Sequence, residues 1–391
     1  CPLHGARRRA ACADVVVTNH SLLLRNVMAE GKILPPVRHW VVDEAHGFEA
    51  EARRQWAVEV SGDEARAAFE LLGGTTTGTL HNLMVQAMSL EGSTLVVGLL
   101  AKASATLSRA SVDVADLFVA VHDLGSVARG DGGYDSVTLW LGDEVRGTEE
   151  WAEVAAAGER AVESCSEAVR QLAEAGEALA GEAPALAADL GESTRFLRDL
   201  AAGIELICAG TDPTYVYSAQ LTRSRRRSST ERLVAEKLDV GADLATRWLP
   251  EMESVVFTSA TIAVGDDFSH FDHAVGLDLL GEGSHRDVRL DSSFDFDAHM
   301  SVVLARDLPA PSDRSYLPAL EDLLYDVHVS MGGSVLTLFT NRRDMEELYA
   351  RVEPRLSAAG LELACQQRNA SARQLRDRFI SEKSSSLFAL K

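Results

Sequence analysis

The feature that most constrains this chain is a set of short β-branched apolar runs, each ending abruptly in polar residues. Asp14-Val15-Val16-Val17-Thr18, Trp40-Val41-Val42-Asp43, Val255-Val256-Phe257-Thr258 and Ser334-Val335-Leu336-Thr337-Leu338-Phe339 are short and almost uniformly apolar. Such runs read as buried parallel strands. Weaker candidates lie at 301–304, 362–365 and 387–390. Amphipathic helical stretches separate them, for example at 344–358 and 371–381. Strands alternating with helices imply an α/β layer architecture.

The middle of the chain breaks this alternation. From about 63 to 207 there is almost no strand signal, and Ala, Glu and Leu dominate. Within 151–180, Val154, Gly158, Ala161, Cys165, Ala168, Leu172, Ala175 and Leu179 recur at spacings of three and four. That is one stripe of a long helix. Gly181 and Pro184 interrupt it, and a second stripe follows through Leu186, Leu190, Leu197, Leu200 and Ile204. An all-helical block is expected between two α/β segments.

Composition narrows the function classes. With 46% hydrophobic and 25% charged residues over 391 positions, the chain is of ordinary globular make-up and long enough for at least two domains. No uninterrupted apolar run reaches the ~18 residues of a bilayer span, so no membrane partner is expected. The five cysteines (Cys1, Cys12, Cys165, Cys208 and Cys365) lack the spacings of a disulfide framework, which suits a reducing cytoplasm. A net charge of −21 argues against sequence-independent wrapping of nucleic acid. It leaves room for a local basic patch. The run Thr222-Arg223-Ser224-Arg225-Arg226-Arg227-Ser228 stands out in an acidic chain, with a solvated or mobile loop as its simpler reading. The chain opens at Cys1 and closes on an apolar strand-like run, so both ends are expected to be cut from a longer polypeptide.

Three strand ends carry candidate chemistry. In Trp40-Val41-Val42-Asp43-Glu44-Ala45-His46 an apolar strand runs into paired acids, placing them at the carboxyl edge of a parallel sheet, where α/β proteins bind ligands. One carboxylate can hold a hydrated Mg²⁺ on phosphates while its neighbour orients the attacking water. Taken alone, an acidic pair after an apolar run is more often a helix N-cap. Thr258-Ser259-Ala260-Thr261 and Thr18-Asn19-His20 likewise follow strands, and in isolation each reads as turn and cap chemistry. The histidines lack metal-ligand spacing.

Together these residues resemble the DinG/XPD group of superfamily 2 DNA helicases. The likeness begins at Cys1 and runs through 13–24 and Ile33-Leu34-Pro35 to the DEAH box, Asp43-Glu44-Ala45-His46. It resumes at Lys237-Leu238-Asp239-Val240 and continues through 255–262, Phe268, Gly276-Leu277 and Ser292-Ser293-Phe294, where the group usually has Ser-Pro-Phe. The stretch 332–340 looks like helicase motif IV. His46 and Ser259 lie 213 positions apart, a gap similar to that filled by the helical Arch insertion of this group.

The resemblance implies tandem RecA-like P-loop NTPase domains with an all-helical Arch-like insertion, truncated at both ends. Residues 1–74 and 206–290 would form the first motor domain, 75–205 the insertion, and 291–391 the start of the second. It implies ATP and Mg²⁺ as cofactors, 5′–3′ translocation on single-stranded DNA, unwinding of forked or other structured DNA in repair or replication stress, a monomer, and a cytoplasmic, nucleoid-associated setting. Carried over, Asp43 would hold Mg²⁺ through water and Glu44 would act on the hydrolytic water. His46 with Ser259, Ala260 and Thr261, and Asn19 with His20, would couple hydrolysis to movement. Thr340, Asn341 and Arg342 would lie near the DNA backbone, with Arg225 and Arg226 as further DNA contacts. Asn341 stands where a Ser is commoner. Cys1 matches one of the four thiolates of a 4Fe-4S cluster, for which the chain offers no other ligand in the matching region. No G-x-x-x-x-G-K-[ST] loop and no final Arg-rich helicase motif is present, so this polypeptide alone is expected to be inactive as an ATPase. The alternatives are a helicase-related nuclease and a non-hydrolysing clamp on single-stranded DNA.

Overall fold

The computed structural model describes residues 2–88, 93–125, 136–180, 183–222, 231–366 and 371–390. The chain divides into two compact units, residues 1–289 and 290–391. Both are mixed α/β, and each contains a parallel sheet.

In the first unit, strand β1 (His39–Asp43) precedes β2 (Val58–Ser61), β3 (Ser136–Trp140), β4 (Tyr215–Thr222), β5 (Arg232–Lys237) and β6 (Ser254–Thr258). Strands β1 and β6 pair in parallel, with Asp43 opposite Thr258. Their inward residues Trp40, Val42, Val255 and Phe257 pack on a core of Leu24, Phe48, Trp56, Leu244, Trp248, Phe271 and Val275. Aromatic edges hold its centre: Phe48 meets both Trp248 and Phe257, and Phe257 meets Phe271. Each such buried side chain contributes about 1.5–3 kcal/mol. The expectation of strands buried on both faces is corrected here. Val41 and Val256 are exposed, because the helices of this core cover one face of the pair only. Glycine is needed where Gly276 ends the Ser269–Val275 helix at φ +77°, since a Cβ there would meet the Gly241 carbonyl.

A second core in this unit belongs to three long helices, Ser93–Leu124, Glu149–Ala180 and Pro184–Ala209, and the antiparallel sheet β2-β5-β4-β3. The stripe from Val154 to Leu179 is buried along its whole length. Its small residues set the helix spacing: a Cβ on Gly158 would stand 2.7 Å from Cys208 Sγ of the neighbouring helix. Leu190, Leu197, Leu200 and Ile204 are buried as the second stripe requires, and the Leu186 side chain lies outside the described residues.

Three expectations are corrected by this architecture. The block 75–205 is not all-helical, because β3 lies inside it and pairs with β4. The run 14–18 is not a strand: no described strand pairs with it, and Val15 and Val17 stand in solvent. The run 301–304 likewise lacks a ladder partner, with Val302, Val303 and Leu304 exposed.

The stretch Thr94–Leu124 is, among the described residues, a helix long and apolar enough to cross a membrane by length and composition. Lys102, Arg109, Asp113 and Asp116 punctuate it, so it contains no long uninterrupted apolar run. Leu100, Ala103, Ala110, Leu117, Val121 and Leu124 on its inner face are fully buried in the helical core.

The second unit holds β7 (Leu336–Phe339), β8 (Glu362–Cys365) and β9 (Ser385–Leu390) in a parallel sheet of order β7-β9-β8. The helices Tyr316–Met331 and Arg342–Ala358 pack against it through Leu324, Met345, Leu348, Val352 and Leu356, with Phe339 and Phe388 from the sheet. A capping box, Ser371 with Gln374, starts the Ala372–Ser381 helix.

Candidate active site

Parallel pairing of β1 with β6 brings the carboxyl ends of both strands side by side. Asp43 ends β1 with its side chain exposed, and the Glu44 amide donates to Asp43 Oδ1 at 3.0 Å. Glu44 takes a left-handed conformation (φ 51°, ψ 44°) that a residue with a Cβ seldom adopts. The backbone thereby turns sharply out of the strand, leaving the Glu44 carboxylate in solvent and seating Ala45 and Phe48 in the core.

His46 follows on that turn. Its Nδ1 lies 3.0 Å from Ser259 Oγ and 3.3 Å from Glu44 Oε2. With hydrogen on Nδ1, the ring donates to the Ser259 oxygen, which also receives the Thr261 amide at 3.4 Å. The imidazole thus links the acid-bearing turn after β1 to the small-residue turn after β6. Ala260 lies between the two bonded residues and, like Thr261, faces solvent.

Asn19 and His20 have different parts. Asn19 caps the His20–Met28 helix, its Oδ1 accepting the Leu22 amide at 2.9 Å. His20 Nε2 donates to the Asp43 carbonyl at 2.9 Å, while its ring meets the edge of Phe48. It therefore holds the end of β1 through the backbone and leaves the Asp43 carboxylate free of it. Behind it, Ser21 donates to Glu51, which Arg54 and Gln55 also bind. The Arg54 hydrogen bond leads in lowering the Glu51 carboxyl pKa to about 2, with Ser21 and Gln55 adding to it against the cost of burial. This clamp between two helices lacks a sequence signature, because Ser21 and Glu51 are 30 positions apart with no periodic relation.

In the second unit, Thr340, Asn341 and Arg342 follow β7 and are exposed. Asn341 caps the Arg342–Ala358 helix, accepting the Arg343 amide at 2.9 Å, and Arg342 Nε donates to Glu346 at 2.9 Å. Cys1, Arg225 and Arg226 lie outside the described residues.

Asp43 and Glu44 fit a magnesium ion and its water, since both carboxylates are exposed at one sheet edge. Among the described residues the cysteines do not come together as an iron–sulfur cluster requires: Cys12 is exposed, Cys165 and Cys365 are buried, Cys208 is half-buried, and none clusters with another. Burial pushes the Cys165 thiol pKa up to about 12 and that of Cys208 to about 11, as expected of packing groups.

No protein-family model matches the chain. Over 372 residues, 92% of its length, it is 22% identical to the 3'-5' exonuclease DinG of Bacillus subtilis (strain 168). A stretch of 46 residues, 12% of the chain, is 54% identical to the ATP-dependent helicase DinG of Mycobacterium tuberculosis, and equally to that of Mycobacterium bovis. The matched residues span 39% of the Bacillus protein and 7% of the mycobacterial ones.

Proposed function

The chain is DinG-like, and from that premise we propose that it supplies part of an ATP-driven motor that moves 5′ to 3′ on single-stranded DNA and opens forked or structured duplexes. The observation that carries this reading is the His46–Ser259 contact beside the Asp43-Glu44 pair at the edge of parallel strands. A Mg²⁺ ion bound with ATP would supply positive charge against the phosphates. Asp43 would hold that ion through water. Glu44, swung into solvent by its left-handed turn, would orient and deprotonate the attacking water. His20 would keep the end of β1 in place, and His46 would pass the change at Glu44 to the Ser259–Thr261 turn.

In the second unit, the start of the Arg342–Ala358 helix would face a DNA phosphate with its positive dipole end, with Thr340 and Arg342 beside it. The phosphate loop on which ATP binding depends has no match in this sequence. The test therefore uses the complete polypeptide that contains these residues. ATP turnover is measured with and without single-stranded DNA, for wild type and Glu44→Gln. DNA-stimulated turnover that Glu44→Gln lowers at least ~100-fold while ATP still binds is the expected result. DNA binding without turnover in wild type would replace the motor with a clamp.

Similarity to the 3'-5' exonuclease DinG of Bacillus subtilis favours a second reading, a helicase-related nuclease. Degradation of end-labelled single-stranded DNA, insensitive to Glu44→Gln, would support it.

A further inference from the structure

A group of side chains remote in sequence from the DEAH turn has no part in the reading above. Asp272, on the Ser269–Val275 helix, is only 8% exposed. Its carboxylate accepts no hydrogen bond from a described residue, and its nearest opposite charge, His285 Nε2, stands 3.7 Å away. The Asp272 side chain keeps 12% of its exposure, so its carboxylate reaches the cleft rather than the interior of the core. Asp272, His285 and Asp287 all line one cleft of about 520 Å³ floored by Val255, Phe257 and Phe271. Ligand atoms of the three residues lie within 4.8 Å of one another.

We infer that Asp272, His285 and Asp287 form a site for a divalent cation of the zinc or manganese class. Donors about 2.1 Å from a tetrahedral ion stand about 3.4 Å from one another, so the exposed segment would move its two ligands inward by up to about 1.4 Å to close the triangle. An imidazole among the ligands turns the preference away from calcium and magnesium, which favour all-oxygen sets. Two carboxylates supply the charge that a divalent ion neutralises.

The ion would act as a staple. His285 and Asp287 lie on an exposed segment without helix or strand, which continues to Arg289. Arg289 is itself tied to Asp266 and the Gly265 carbonyl. A cation held by all three ligands would fasten this exit segment of the first unit to the Ser269–Val275 helix. Neither Asp43 nor Glu44 takes part, so this inference stands or falls separately from the motor reading.

The experiment titrates Zn²⁺, and separately Mn²⁺, into the chelator-treated chain by calorimetry, and follows the melting temperature at each metal concentration. The variants are His285→Ala and Asp287→Asn, both at exposed positions whose loss should leave the metal-free melting temperature unchanged. Wild type should bind one Mn²⁺ and melt higher with it, and each variant should bind at least ~10-fold more weakly. Absence of Mn²⁺ binding by wild type, or equal affinity in wild type and both variants, would overturn the site. Zn²⁺ binding that persists in both variants and is lost in Cys12→Ser would overturn it too, by showing the ion on the exposed thiol.

Discussion

His46 Nδ1 and Ser259 Oγ stand 3.0 Å apart although 213 positions separate them in the chain. The contact exists because β1 and β6 pair in parallel, in a register that places Asp43 opposite Thr258. The two turns that leave these strands must then meet, whatever lies between them. Exposed as it is, the bond adds little to stability; under the proposed motor function it would respond to what happens at Glu44.

Ser259→Ala should therefore change folding stability by less than about 0.5 kcal/mol. In the complete polypeptide it should lower DNA-stimulated ATP turnover about tenfold while leaving turnover without DNA nearly unchanged. Denaturant melts and steady-state ATPase rates check the two halves. Equal loss with and without DNA would show Ser259 acting on the chemical step rather than on its coupling.

Glu51 makes acid stability a local property. Its carboxyl pKa is depressed to about 2 by Arg54 foremost, so in the folded protein it stays charged down to that pH. Its contribution is complete above the ordinary carboxylate range and is lost as the pH falls from about 4.5 towards 2. Glu51→Gln should flatten that part of the stability curve. Melting temperatures taken between pH 2 and 6 would read it.

Arg146 secures the base of the helical block. It donates to the Leu141, Ile207 and Cys208 carbonyls at 2.8–2.9 Å and stacks on Trp151 at 4.6 Å. A lysine cannot reproduce that fork. Arg146→Lys should cost about 2–4 kcal/mol, because buried carbonyls at the end of the Pro184–Ala209 helix lose their donors. Gly210→Ala should also destabilise, since its φ is +57° and a Cβ would strike the guanidinium. Urea unfolding of the chain measures both.

Gly158→Ala should cost about 1–3 kcal/mol by overpacking against Cys208 Sγ. Cys208→Ala in the same chain should restore most of that loss by removing the sulfur. Simple addition of the two costs in the double variant would show that the contact is not the cause.

Much of this was legible in the sequence for physical reasons. Trp40–Asp43 and Val255–Thr258 announced strands because β-branched residues close to a polar stop have few other uses. Periodicity found the long helices because a buried stripe must repeat every three or four residues. The antiparallel sheet escaped notice. Tyr215–Thr222 does alternate, with Tyr217, Ala219 and Leu221 turned inward, but Ser136–Trp140 is five residues long and ends on an exposed Trp. Its pairing is set by β4, more than 70 positions away. The run 14–18 misled for the converse reason: an apolar sequence encodes the wish for a ladder, and the partner must come from elsewhere. Within the site, Asp43, Glu44 and His46 could be read from one stretch. The Ser21–Glu51 clamp and the His20 bond to the Asp43 carbonyl could not, since each depends on how two helices and a strand come to lie together.

The parallel pair β1–β6 also has a consequence for the order of folding. Bringing His46 to Ser259 through an unstructured chain would close a very long loop, whose entropy grows with the logarithm of its length. The intervening helices share a core with the antiparallel sheet, and their contacts with one another span shorter stretches of chain than the His46–Ser259 pair, so they form earlier. Once folded, they present β1 and β6 as the two ends of a compact body, and the remaining loop is short. In refolding followed by hydrogen exchange, amides of Glu149–Ala180 should gain protection before those of Ser254–Thr258. The DEAH turn would then be among the last parts of its unit to be assembled, completed only after the insertion that separates its two halves has become a solid hinge-point between them.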